Sequence, residues 1–225
     1  MKESFKTIYQ GGVGEYIAKK SRFIATVAPV SSEEEAIEFI EQMKKKYWDA
    51  THNCSAYIIG NEIPLMRCSD DGEPSQTAGK PMLDVLIAHE LTDLVVVVTR
   101  YFGGTLLGTG GLVKAYQSAT IEGLKNSTII TKELGTKLSI TTDYNFIGKI
   151  QYFIGQESIP VLSSEYTDIV QLQLIIPTNK VQGLIKKITE LTNGTAKLEE
   201  LEQVYFALID NEIYLFDEIL IMKFL

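Results

Sequence analysis

Through the opening segment FKTIYQGGVGEYIAKKSRFIATVAPV, β-branched and aromatic residues lie on either side of Gly11-Gly12, a pattern that predicts strands joined by a turn. Beyond it, Ala36, Ile37, Ile40 and Met43 recur at helical spacing. Ser32 followed three residues later by Glu35 forms a capping box, and Lys44 to Lys46 suit the negative end of a helix dipole, so a helix is predicted over 33–47. CSAYIIG at 54–60 and LMRC at 65–68 read as strands around the turn GNEIP. Residues 69–81, SDDGEPSQTAGKP, are too rich in Gly, Pro and Asp for a regular element. MLDVLIAHEL then predicts a helix, and the unbroken run Val95 to Val98 predicts a strand buried on both faces. After a glycine-dense turn, LVKAYQSATIEGL predicts another helix.

Near Gly123 to Ser127 the pattern changes. Both histidines, both cysteines and four of the six prolines lie before this point. After it the hydrophobic periods read strand (137–142), helix (144–155), strand (159–165), strand (167–176), helix (178–191) and strand (198–208), the ferredoxin-like order βαββαβ. The expectation is an α+β chain of two domains, 1–130 and 131–209, with an apolar extension over 210–225. The extension, DNEIYLFDEILIMKFL, is too short to span a bilayer. It is expected to be an extra helix docked on the second domain, with an oligomer contact as the other reading.

Composition narrows the function classes. The chain has 225 residues, 45% hydrophobic and 22% charged, as ordinary globular proteins do. Twenty-one basic side chains against 29 acidic ones leave a net charge of −8, which disfavours diffuse binding to polyanions but leaves room for a local basic patch. Two cysteines cannot build a disulfide framework, and the N-terminus lacks the apolar stretch of a secretory signal. Apolar runs such as Leu94 to Val98 fall far short of the ~18 residues of a membrane helix. A reducing cytoplasm is the expected compartment, without membrane association.

The stretch TRYFGGTLLGTGGLVKAY, residues 99–116, places five of the 17 glycines within nine positions. A strand, a glycine loop and a helix start together form a place where backbone N–H groups receive an anion. The Walker pattern fails because Thr109 follows Gly108, and the dinucleotide pattern fails because Val113 stands where its third glycine belongs. Two readings remain for Gly103, Gly104, Gly108, Gly110 and Gly111: a binding surface flanked by Arg100 and Lys114, or a device for close helix packing. Asp70, Asp71 and Glu73 put three carboxylates within four residues, but the calcium-loop spacing is missing, and a solvated acidic turn is the favoured reading. His52, Cys54, Cys68 and His89 lack zinc-site spacing. Catalysis by Cys54 is disfavoured against a plain core role. Lys19, Lys20, Arg22 and Lys44 to Lys46 would form a basic face only if folding brought several to one side.

Four segments in order, KKSRFIA at 19–25, ATHNCSAYIIG at 50–60, SDDGEPSQTAGKP at 69–81 and VVVTRYFGGTLLGTGGLVKAY at 96–116, resemble the IMPACT family in its bacterial two-domain branch. The resemblance implies a first domain like the ribosomal-protein-type domain IV of elongation factor G and a second like its ferredoxin-like domain V. Eukaryotic members regulate translation by competing for the activator of an initiation-factor kinase. That pathway is not expected here, since their additional N-terminal domain has no counterpart in this sequence. For the bacterial branch the resemblance implies binding to nucleic acid or the ribosome, with no enzymatic activity established for it; no cofactor or metal is expected. The expected function is therefore non-enzymatic and translation-linked, with RNA, the ribosome or a translation-associated protein as partner. The expected contact residues are Lys20, Arg22, His52, Asp70, Asp71, Glu73, Lys80, Arg100, Gly103, Gly104, Gly110, Gly111 and Lys114. The alternative is an enzyme acting on a small phosphorylated or peptide-like substrate, with the glycine loop as anion cradle and the acidic turn as its chemistry. The oligomeric state is left open.

Overall fold

A computed structural model describes residues 1–210 and 212–216. The chain divides into two compact units, Met1–Thr131 and Lys132–Leu225. In the first, the elements run β1 (Ser4–Gln10), β2 (Val13–Ala18), β3 (Ser21–Pro29), α1 (Glu33–Lys46), β4 (His52–Ile59), β5 (Leu65–Ser69), α2 (Gly79–Ala88), β6 (Leu94–Tyr101) and α3 (Thr109–Lys125). Five of the strands form an antiparallel sheet in the order β2-β3-β6-β4-β5.

The valine run explains the layering. Along β6 side chains alternate between faces. Leu94, Val96 and Val98 join the cluster built by α2 and α3, whereas Val95 and Val97 join the cluster under α1. All of Val95 to Val98 are fully buried, at roughly 1.5–3 kcal/mol each. At the start of α1, Ser32 Oγ accepts from Glu35 N at 3.2 Å. The Glu35 carboxylate reaches one residue further back than a capping box requires, accepting from Ser31 N at 2.7 Å.

Two helices begin earlier than their apolar periods suggest. Helix α2 starts at Gly79 and carries Pro81 in its first turn, where the absent N–H has no intrahelical role. Helix α3 starts at Thr109, so Gly110 and Gly111 belong to its first turn rather than to the loop.

The strand β7 (Thr128–Thr142) leads into the second unit, followed by α4 (Tyr144–Gln156), β8 (Val161–Tyr166), β9 (Val170–Pro177), α5 (Val181–Leu191), β10 (Lys197–Ile209) and β11 (Glu212–Phe216). The strands order as β11-β10-β7-β9-β8, all antiparallel. Without β11 this is the ferredoxin-like arrangement in an α+β chain. The extension differs from expectation over its first residues, where Glu212–Phe216 pairs as a strand along β10 instead of forming a helix. Tyr214 and Phe216 alternate with Ile213 and Leu215, a two-residue period that suits a sheet edge. The docked helix expected for the remainder, 217–225, lies outside the described residues. Among the described residues no helix is long and apolar enough to cross a membrane.

Candidate functional site

The antiparallel order brings four loops to one end of the first sheet. There β3 and β4 begin, β5 and β6 end, and α2 and α3 start. Register sets the neighbours: Arg22 lies across from Tyr101, His52 from Arg100, and Ser55 from Ser69. The turn at Lys19-Lys20, the segment 47–51, the acidic turn 70–76 and the glycine loop 102–108 consequently meet here.

Beneath them lies a buried polar cluster. Arg100 shares the parity of Val96 and Val98, so it points under α2 and α3 and is only 5% exposed. Its Nη1 donates to Glu73 Oε1 at 2.5 Å, and Glu73 is itself 8% exposed. The Tyr116 hydroxyl donates to the same oxygen at 2.8 Å. Phe23 and Phe102 lie 5.4 and 5.5 Å from the guanidinium carbon, close enough for cation–π attraction. The Cys54 thiol sits 3.0 Å from the Asp70 carbonyl and 3.3 Å from Tyr116 Oη, offering its single proton to either. Burial pushes the thiol well above its ordinary range, and it does the same to the Tyr116 hydroxyl, with Cys54 and Glu73 adding to the rise. A buried, protonated thiol is a poor nucleophile. His52 Nδ1 lies 2.8 Å from the Asp71 carbonyl, which only accepts, so that nitrogen carries the proton and Nε2 faces Glu73 at 3.9 Å.

The acidic turn is not solvated as expected. Asp70 accepts from Gln76 N at 2.8 Å, Ala78 N at 3.0 Å and Gly79 N at 2.8 Å, capping α2 from outside the helix because Ala78 has no side-chain oxygen. Asp71, at φ 42°, accepts from Asn53 N at 2.7 Å and ties the turn to β4. Glu73 is the buried counter-charge of Arg100. Among the described residues no group of three or more His, Cys, Asp or Glu side chains is arranged to hold a metal.

The cationic candidates divide accordingly. Arg100 flanks the loop in sequence but is enclosed and paired, so it presents no charge to a ligand. Arg22 is exposed but held by Glu15 through two contacts of 2.8 Å, and Lys80 is held by Asp84 at 2.5 Å. Lys20 and Lys114 are exposed and make no ion pair among the described residues. In the glycine loop the positions divide between close packing and loop shape. A Cβ on Gly103 would fall 2.1 Å from the Lys20 carbonyl carbon, so this glycine seats the loop against the β2–β3 turn. Gly104 and Gly108 take φ 80° and 73° in exposed positions, shaping a loop that leaves Leu106 81% exposed and Phe102 47% exposed.

One residue outside the sequence reading, Trp48, lies on this face beside Lys45 and Lys46 of the basic run read from sequence. Trp48, the single tryptophan, is 82% exposed. Its segment is bound to the end of β6, with Thr51 N donating to Arg100 O at 2.9 Å, Phe102 N to Thr51 Oγ1 at 3.3 Å and the Tyr101 hydroxyl to Asp49 at 2.9 Å. Lys45 and Lys46, at the end of α1, precede it directly. Lys114, on α3 across the sheet from α1, lies towards the same end. Gly14 packs on the backbone of Glu122 and Gly123, and nine residues back along α3 is ~14 Å, matching the ~13 Å from Gly14 to Ala18. A sole Trp beside a lysine run was the available sequence signal for this part of the face. Nothing local marked Tyr116, whose partners Cys54 and Glu73 come from distant segments.

Comparison with known proteins places these features. Residues 19–124 match the Impact N-terminal domain, and residues 140–195 match a domain of unknown function, DUF1949. The IMPACT family member YvyE of Bacillus subtilis is 39% identical over 213 residues, covering 95% of this chain and 98% of that protein. YigZ of Escherichia coli is 36% identical over 187 residues, covering 82% and 92%. The first unit also matches the Dictyostelium discoideum Protein IMPACT homolog, 40% identical over 106 residues, which is 45% of this chain and 30% of that one. A crystal structure of a hypothetical protein, 34% identical, superposes with a TM-score of 0.58 over 90% of this chain and 99% of its own. The matched Impact domain contains the whole buried Arg100–Glu73–Tyr116 cluster and the loops above it, and with relatives of this similarity along its length the chain belongs to the IMPACT family.

Proposed function

We propose that the protein is a translation-linked, non-enzymatic binding protein whose first unit engages RNA of the translation machinery through the end of its sheet. The link to translation is what the resemblance to the IMPACT family implies. The observation supporting the surface is that Lys19, Lys20, Lys45, Lys46 and Lys114 are exposed towards the same end of the sheet as the exposed rings of Trp48 and Phe102, on a chain of net charge −8. Nearby carboxylates are occupied: Glu15 by Arg22, Asp49 by Tyr101, Asp71 by Asn53, and Glu73 by Arg100. Lysines that track phosphates beside exposed aromatic faces suit single-stranded nucleic acid. The enzymatic alternative draws no support from this geometry, because Cys54, Glu73 and Asp70 are committed to internal bonds.

Co-sedimentation with ribosomes at graded salt tests the reading. Four lysine–phosphate contacts would give a fall of about 50-fold in affinity between 50 and 200 mM salt. Replacing Lys19, Lys20 and Lys114 with Gln should flatten that dependence, and Trp48→Ala should weaken binding at every salt concentration. Absence of the folded wild-type protein from the ribosome pellet at 50 mM salt would refute the proposal. Salt-insensitive binding would transfer this face to a protein partner.

A further inference from the structure

Strand β5 closes one edge of the first sheet, and Met66 to Ser69 along it are exposed. In an antiparallel sheet each residue turns its N–H and C=O together towards one neighbour, and the next residue turns its own towards the other. Val27 N donates to Gly12 O at 2.9 Å, so Val27 bonds towards β2. Followed through the register, Thr26 bonds to Val97, Val96 to Ala56, and Tyr57 to Arg67. Met66 and Cys68 therefore present their N–H and C=O outward. Arg67 agrees with this, since its Nη1 folds over the edge and donates to Met66 O at 3.3 Å. No described strand lies beyond β5. The opposite edge is closed differently: the outward carbonyl of Val13 accepts from Asn126 Nδ2 at 2.8 Å, and α3 packs on Gly14.

The free edge runs between two cavities. Met66 lines one of about 410 Å³ on the α2 side of the sheet, with Ile58, Ile87 and Leu91. Arg67 and Ser69 line another, of about 270 Å³, on the α1 side, with Ile37, Ile40 and Lys44. Met66 and Arg67, neighbours in sequence, thus open onto different cavities, as the two-residue period of a strand requires. A strand laid against β5 gains main-chain hydrogen bonds from Met66 and Cys68 and offers alternate side chains to the two cavities. The charges select the occupant. Lys44 is held by Glu41 at 3.2 Å and Asp71 at 4.0 Å, and Glu33 accepts from the Tyr57 hydroxyl at 2.6 Å. Arg67 is left with Glu33 at 3.8 Å, its side chain 60% exposed. A second copy paired about Arg67 would set two guanidiniums opposite each other, which destabilises a sheet. We propose that the β5 edge binds an extended peptide of another protein, with an acidic side chain across from Arg67 and an apolar one across from Met66.

A fluorescein-labelled peptide alternating valine with glutamate, blocked at both ends, tests this on the full chain by anisotropy and hydrogen exchange. With peptide at roughly ten times its Kd, exchange at the Met66 and Cys68 amides should slow by about tenfold. Arg67→Glu changes an exposed side chain. It should lose about tenfold in affinity for this peptide and gain as much for one alternating valine with lysine. Cys68→Pro removes an outward donor while leaving the ladder to β4 intact, and should weaken binding of the valine–glutamate peptide. Absence of binding by the folded wild type would overturn the proposal, as would binding that leaves the Met66 and Cys68 amides unprotected. So would equal affinity of wild type and Arg67→Glu for the valine–glutamate peptide. Protection of the edge without peptide that fades on dilution would also overturn it, since the occupant would then be a second copy.

Discussion

Arg100→Met removes the positive charge of the buried polar cluster while keeping most of the side chain's length. Arg100 and Glu73 are both more than nine-tenths buried, and the variant strands the carboxylate without its cation. Removing one member of a buried pair costs about 3–5 kcal/mol. The lower end applies here, because the Tyr116 hydroxyl still donates to Glu73 Oε1 at 2.8 Å. Urea unfolding of the full chain, followed by circular dichroism, provides the assay. With a slope of about 2 kcal/mol/M, a loss of ~3 kcal/mol lowers the midpoint by ~1.5 M. Hydrogen exchange should place the loss in β4, β6 and α3, not in the second unit. The double variant Arg100→Met/Glu73→Leu removes both charges and should recover a large part of the deficit, since the penalty lies in the unpaired ion. A deficit below ~1 kcal/mol in the single variant, or none recovered in the double, would refute a closed pair and return Arg100 to the surface.

Asp70→Ala leaves three backbone donors at the start of α2 without their acceptor and should cost about 1–2 kcal/mol in the same urea assay. A thiol-reactive dye at pH 8 should label one cysteine of the native chain, the exposed Cys68, and two after denaturation, because Cys54 is buried with its thiol held protonated. Tyr57 donates to Glu33 at 2.6 Å, and burial together with that carboxylate pushes its hydroxyl up to about 12. Its folded value therefore exceeds the unfolded ~10, so its contribution is complete below pH 10 and is lost as pH rises towards 12. Tyr57→Phe should accordingly narrow its stability gap to wild type between pH 9 and pH 12, and a gap constant across that range would contradict the assignment.

The succession of elements was legible because it is local. Two-residue and helical periods, the Ser32–Glu35 cap and the valine run each act over a few neighbouring residues, and they placed α1, β6 and the βαββαβ order of the second unit. The starts of α2 and α3 were not legible. Asp70 caps α2 from nine residues upstream of Gly79, and glycines in the first turn of α3 carry no helical period. The glycine loop, the acidic turn and His52 are distant in sequence and lie at one end of one sheet. Their roles could not be read from their motifs, because burial is decided by strands that meet only in the folded chain. Arg100 and Lys114 look equivalent beside the loop, yet sheet parity turns the first inward to Glu73, 27 residues away, and leaves the second in solvent. The lysines of the β2–β3 turn and of the end of α1 are separated by some twenty-five residues of sequence. Strand order alone brings them, with Trp48, to one end of one sheet. Composition and periodicity determined what kind of chain this is, whereas the pairing of β3, β4 and β6 decided which of its charges cancel and which face solvent.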